Sequence, residues 1–162
     1  MKINYRNLTI LSMIALAVIT RLLPHPPNVA PITAIALFGG CNIRDKNLAM
    51  ALPLICMFIT DLFLGFHVIM PFVYLSFMCI SYIGINSKKI TNGTILGSSL
   101  LFFLVTNLGV WYLGYPNTLA GLVSCYTLAL PFFVNTIIGD LFFTHMLSYS
   151  FSRVESKYPI LN

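Results

Sequence analysis

Charge is what this sequence has least of. Asp45, Asp61, Asp140 and Glu155 are its four acidic residues, and charged side chains make up 8% of the 162 positions, against roughly 25% in soluble domains. That scarcity excludes a soluble globular domain, and the chain is too short to add one beside a membrane region. Catalytic signatures are missing too: there is no G-x-S-x-G, no H-E-x-x-H and no phosphate-binding glycine loop. The four cysteines, Cys41, Cys56, Cys79 and Cys125, stand singly in apolar surroundings. Without a C-x-x-C or a Cys/His spacing suited to zinc, they read as small packing residues.

What is present is hydrocarbon. The chain is 58% hydrophobic with a mean hydropathy of +0.89, the composition of an integral membrane protein. A spanning helix needs about 20 apolar residues, so the chain has material for about six. Apolar runs bounded by turn chemistry place helices near 8–23, 31–43, 47–65, 69–86, 93–113 and 119–150, with breaks at "PHPPNVA", "RDK", "GFH", "NSKKIT" and "GYPNT". The second is short enough to cross only part of a bilayer. The first resembles a secretory signal, but it lacks a small-x-small cleavage site and ends on Arg21, so it reads as a retained helix.

The basic residues test this layout independently. Lys2 and Arg6 precede the first helix, Arg44 and Lys46 follow the second, Lys88 and Lys89 follow the fourth, and Arg153 and Lys157 end the sixth. With six spans all of these fall on one side, and Arg21 alone falls on the other. The positive-inside rule then puts both termini in the cytoplasm. The fold class expected is therefore all-α, a polytopic membrane helical bundle forming one domain over 1–162. The net charge of +5 follows from topology and anionic headgroups, so no nucleic acid is needed to explain it.

One phrase occurs twice, as "ALPLICMFITDLF" at 51–63 and "ALPFFVNTIIGDLF" at 129–142. Under the six-span topology the copies run in opposite senses, as in the inverted repeats of transporters. Recurrence within a low-complexity apolar composition explains them equally. Pro53 and Pro131 each withhold a hydrogen bond, from the carbonyls of Ala49 and Thr127.

An aspartate inside a span needs a partner or a task. Asp61 is expected near the outer end of the third helix and Arg21 near the outer end of the first, so the two are predicted to approach one another, and both are candidate substrate-binding residues facing an outer site. Asp140 is expected in the cytoplasmic half of the sixth helix with Asn135 nearby, both as structural intramembrane polar groups. Membrane aspartyl proteases hold both carboxylates at one depth. Asp61 and Asp140 are expected in opposite halves, so no enzyme is expected.

Other polar and aromatic residues collect at the outer end. They are His25 and Asn28 beside Arg21, His67 after the third helix, and Asn107, Trp111, Tyr112, Asn117 and Tyr126 around the fifth-to-sixth connection. Ser99, Phe103, Thr106 and Asn107 share one helix face. Aromatic walls with a few orienting polar groups suit a small-molecule pocket; an interfacial aromatic belt has similar composition. His25 and His67 offer two metal ligands without a third, so neither metal nor cofactor is expected.

The segments "RLLPHPPNVAPITAIALFGG", "TDLFLGFH", "SSLLFFLVTNLGVW" and "GLVSCYTLALPFFVNTIIGDL" resemble a family of small bacterial inner-membrane proteins of unknown function. That family looks like the substrate-binding S components of energy-coupling-factor vitamin transporters, in size, in six-helix layout and in the Pro-Asn-x-x-Pro that opens the second helix. The resemblance implies a micronutrient bound near the outer face under capping loops, with a transmembrane coupling subunit and two ATPases as partners beside the lipid bilayer. Arg21, His25 and Asn28 then match the first external loop, His67 the second, and Asn107 through Asn117 the third. One departure concerns docking. S components use an Ala-x-x-x-Ala surface on their first helix, whereas Ser12, Ala15 and Ala17 lie out of that register. A non-transporting structural or assembly protein of the cell envelope is the alternative function.

Overall fold

The computed structural model describes residues 5–157; Lys2 and the two chain ends lie outside them. Among the described residues there are six helices and no strand: α1 (Tyr5–Leu22), α2 (Ile32–Asn42), α3 (Lys46–Leu64), α4 (Met70–Asn86), α5 (Asn92–Gly114) and α6 (Leu119–Lys157). Their starts follow local chemistry. Asp45 caps α3 by accepting from the backbone N–H of Asn47 at 3.0 Å and of Leu48 at 3.2 Å, satisfying donors that a helix N-terminus otherwise leaves open. Thr91 and Thr94 form a reciprocal capping box at the head of α5. Pro71 sits in the first turn of α4, where its missing N–H costs nothing. Pro53 and Pro131 lie within α3 and α6, which continue through them.

Three helices, α3, α5 and α6, are long and apolar enough to cross a membrane; α1, α2 and α4 carry shorter apolar stretches. The exterior is apolar as well, with Phe58, Phe63, Val68, Tyr82, Leu119 and Phe142 all more than half exposed. Exposed apolar area on this scale is foreign to a monomer in water.

The core is organised around α2. With 11 residues it is about 16 Å long at 1.5 Å per residue, roughly half a bilayer core. Every residue from Ile32 to Gly40 is buried, because α1, α3, α4, α5 and α6 all pack against it. Its crossing with α4 is backbone on backbone: a Cβ on Gly40 would lie 2.5 Å from the Ser81 carbonyl oxygen, and one on Gly84 would lie 2.6 Å from that of Leu37. Small residues permit such an approach where larger ones hold helices apart. Between Leu37 and Gly40, Phe38 meets Phe151 of α6 edge to face with ring centroids 4.9 Å apart.

Because α2 is short, the chain between α1 and α2 has to descend into the bundle to reach it. Asn28 takes φ +65°, a left-handed conformation that asparagine tolerates better than most residues. Two contacts on α6 hold the descended segment. The Asn135 amide donates to the Pro27 carbonyl oxygen at 3.2 Å, and Gly139 comes so close that a Cβ there would lie 3.2 Å from the Val29 Cα.

Candidate functional site

A cavity of about 390 Å³ opens beside that descended segment, within the size range of small-molecule sites. Its lining comes from every helix and from two loops. Arg21 of α1, His25 and Asn28 of the first loop, His67 of the α3–α4 loop and Thr106 and Asn107 of α5 are among the lining residues. Thr33 of α2 and Thr136 and Asp140 of α6 complete the polar set, and Phe77, Phe102 and Phe132 provide aromatic surface. Phe77 and Phe102 are themselves in ring contact, with centroids 5.1 Å apart.

The predicted approach of Arg21 to Asp61 is realised. Arg21 Nη2 lies 2.8 Å from Asp61 Oδ1, while Nη1 donates to the Thr60 hydroxyl and, at 3.3 Å, to the Met57 carbonyl oxygen. The Tyr74 hydroxyl donates to the other carboxylate oxygen of Asp61 at 2.8 Å. Arg21 lines the cavity; Asp61 is fully buried and does not. Asp61 therefore holds the guanidinium of a lining residue while itself standing outside the lining.

Asp140 lies at the cavity as well. The sequence suggests a structural position apart from the outer pocket, whereas Asp140 is among the residues that line the cavity. Its Oδ2 accepts from the Ser99 hydroxyl at 2.6 Å, and Thr33 is a second hydrogen-bonding neighbour. Ser99 lies seven residues beyond the start of α5, so this pair sits about 10 Å along that helix. The shortness of α2 is the signal that could have revealed this. A half-length helix begins at mid-depth and so brings Thr33 level with Asp140.

The remaining candidates divide. Asn107 lines the cavity and donates to the Phe103 carbonyl oxygen within its own helix at 2.8 Å. Trp111 donates from Nε1 to the Pro116 carbonyl oxygen at 3.2 Å, bracing the α5–α6 connection, and Asn117 is exposed on that connection. Tyr112 is 62% exposed. The Tyr126 hydroxyl donates to the Leu104 carbonyl oxygen at 2.7 Å, and its ring meets Phe103 edge to face, which docks α6 on α5. Trp111, Tyr112, Asn117 and Tyr126 all lie outside the cavity lining. Asn135 holds the Pro27 carbonyl instead of accompanying Asp140. Thr33 and Thr136, which do line the cavity, escape sequence reasoning, and Thr106 enters it only as part of a helix face, because an isolated threonine in an apolar run carries no distinguishing pattern.

A family model covers residues 1–161. The chain belongs to the family of unknown function DUF6580. Comparison with the curated proteins and with the solved structures finds no match.

Proposed function

We propose that this chain is a multi-pass protein of the bacterial inner membrane, with six membrane-inserted helices and both termini cytoplasmic, that binds a small micronutrient in its central cavity. In this reading it serves uptake, as an S-component-like subunit or a solitary carrier. The observation that carries the reading is the cavity of about 390 Å³ into which α1, α2, α5, α6 and two loops each bring a polar side chain. Convergence of orienting groups from many elements on one apolar hollow is what a binding site requires and what packing alone does not. The half-length α2, starting at the cavity, fits the same reading, since membrane carriers place interrupted helices at their binding sites. The basic residues flanking the helices support the orientation.

Docking on a coupling subunit is the less supported part. Ala17 of α1 is buried in the core and so contributes nothing to an outward small-residue surface. A solitary carrier, or a partner engaging another face, suits the chain better.

Native mass spectrometry of the gently purified protein, expressed in rich medium, tests the reading beside an Asn107→Leu variant. A small molecule retained by the wild type and lost from the variant supports it. An empty cavity in both, with a second protein present in fixed ratio, would replace it with the assembly-protein alternative.

A further inference from the structure

Four ionisable side chains line the cavity, Arg21, His25, His67 and Asp140, and the circumstances of Arg21 and Asp140, which are of opposite sign, differ. Arg21 is already matched, since Asp61 lies 2.8 Å from its guanidinium and is itself buried. Asp140 is 1% exposed, and among the described residues no cationic side chain stands within ion-pairing distance of it. Its neighbours are hydroxyls, Ser99 at 2.6 Å and Thr33. Hydroxyl donors and the nearby first turn of α2 offset only part of the cost of a carboxylate held without a cation. A positive charge arriving in the cavity would supply the missing counter-ion and remove the rest. The apolar walls are suited to the same visitor, because Phe77, Phe102 and Phe132 line the cavity and aromatic rings attract desolvated cations.

We propose that the cavity takes a small organic cation whose protonated nitrogen pairs with Asp140 and whose body lies among Phe77, Phe102 and Phe132. This rests on the binding reading above and narrows it to a class of ligand. Anionic molecules are disfavoured, because the Arg21 guanidinium already has its counter-ion in Asp61.

Thermal unfolding of the purified full chain with three probes tests the assignment. Tryptamine, tryptophol and indole-3-acetate share one indole body and end in an ammonium, a hydroxyl and a carboxylate. Tryptamine is expected to raise Tm by about 3–6 °C at ten times its Kd, with the other two silent and the response lost in Asp140→Asn. Should Asp140→Asn not fold, Asp140→Glu, which keeps the charge, is expected to retain part of the response. Equal stabilisation by all three probes, or preference for the carboxylate, overturns the cation assignment and leaves the binding reading standing. Stabilisation by sodium chloride over potassium chloride, with tryptamine silent, overturns it in favour of an inorganic ion. Silence toward every probe is resolved by the molecule retained in native mass spectrometry: a basic nitrogen in it supports the assignment, and its absence from a retained molecule sinks the assignment alone. If nothing is retained and no probe acts, the binding reading falls as well.

Discussion

Arg21 of α1 and Asp61 of α3 form an ion pair of 2.8 Å that joins two helices 40 positions apart in sequence, with Tyr74 of α4 donating to the same carboxylate at 2.8 Å. The pair is unevenly buried, Arg21 being 16% exposed and Asp61 1%. Losing one partner strands the other in a medium that cannot solvate it. Arg21→Ala is expected to cost about 3–5 kcal/mol, read as a fall in Tm in detergent. The double variant Arg21→Met with Asp61→Leu should lose far less than the sum of the two singles, because a buried pair replaced by apolar side chains is often close to neutral. Strict additivity would show that the two charges do not interact.

The α2–α4 crossing gives a sharper steric test. A Cβ on Gly84 meets backbone atoms, the Leu37 carbonyl oxygen at 2.6 Å and the Gly40 Cα at 3.1 Å, and backbone cannot rotate aside as a side chain can. Gly84→Ala should therefore cost at least about 1–3 kcal/mol. A Cβ on Gly97 of α5 would have nothing within 4 Å of it, so Gly97→Ala should be neutral or gain about 0.5–1 kcal/mol from helix propensity. Equal effects of the two substitutions on thermal unfolding would contradict the close crossing.

Much of the helix layout was legible because its signals are local. The predicted second, third, fourth and fifth helices lie within about a residue of those found, and Asp45 and Thr91 cap helices inside the predicted breaks. The Arg21–Asp61 contact was legible because a lone cation and a lone anion in hydrocarbon have few alternatives. The depth of the first loop was not legible. It depends on α6 residues more than 100 positions away, Asn135 donating to the Pro27 carbonyl oxygen and Gly139 leaving room for Val29, and no local pattern announces a loop that descends. Nor could composition separate cavity wall from exterior around the end of α5. Trp111, Tyr112 and Tyr126 have the aromatic character expected of a pocket, yet two spend their polar atoms on nearby backbone carbonyls and the third faces outward. The repeated phrase likewise leads its two aspartates to unlike partners, an arginine and a tyrosine for Asp61 and hydroxyls for Asp140.

The descended loop depends on a small residue as well as a hydrogen bond. Gly139→Ala would set a Cβ 3.2 Å from the Val29 Cα, close enough to require a shift of a few tenths of an ångström, and Gly139→Val would require more. The valine variant is expected to push residues 27–29 away from α6, raising amide exchange at Val29 and Ala30 while leaving α4 protected. Unaltered exchange in the loop, with the protein still folded, would mean that α6 does not hold it in place.

The six-span orientation makes a prediction that charge alone can organise. If Lys88 and Lys89 belong to a cytoplasmic connection and Asn117 to an external one, the two sites face opposite compartments. With the four native cysteines replaced, a cysteine at Asn117 should react with a membrane-impermeant maleimide on intact cells. One at Lys89 should react only after the cells are opened. The short α2 makes this test discriminating. If α2 entered and left the membrane on one side without counting as a crossing, every later connection would be inverted, and the Asn117 site would label from within. Labelling of both sites from one side would instead mean that α5 does not cross, against a helix of 23 residues that is long and apolar enough to do so. The result expected places Arg21, His25 and His67 on the same face as Asn117, because an even number of crossings separates each of them from it.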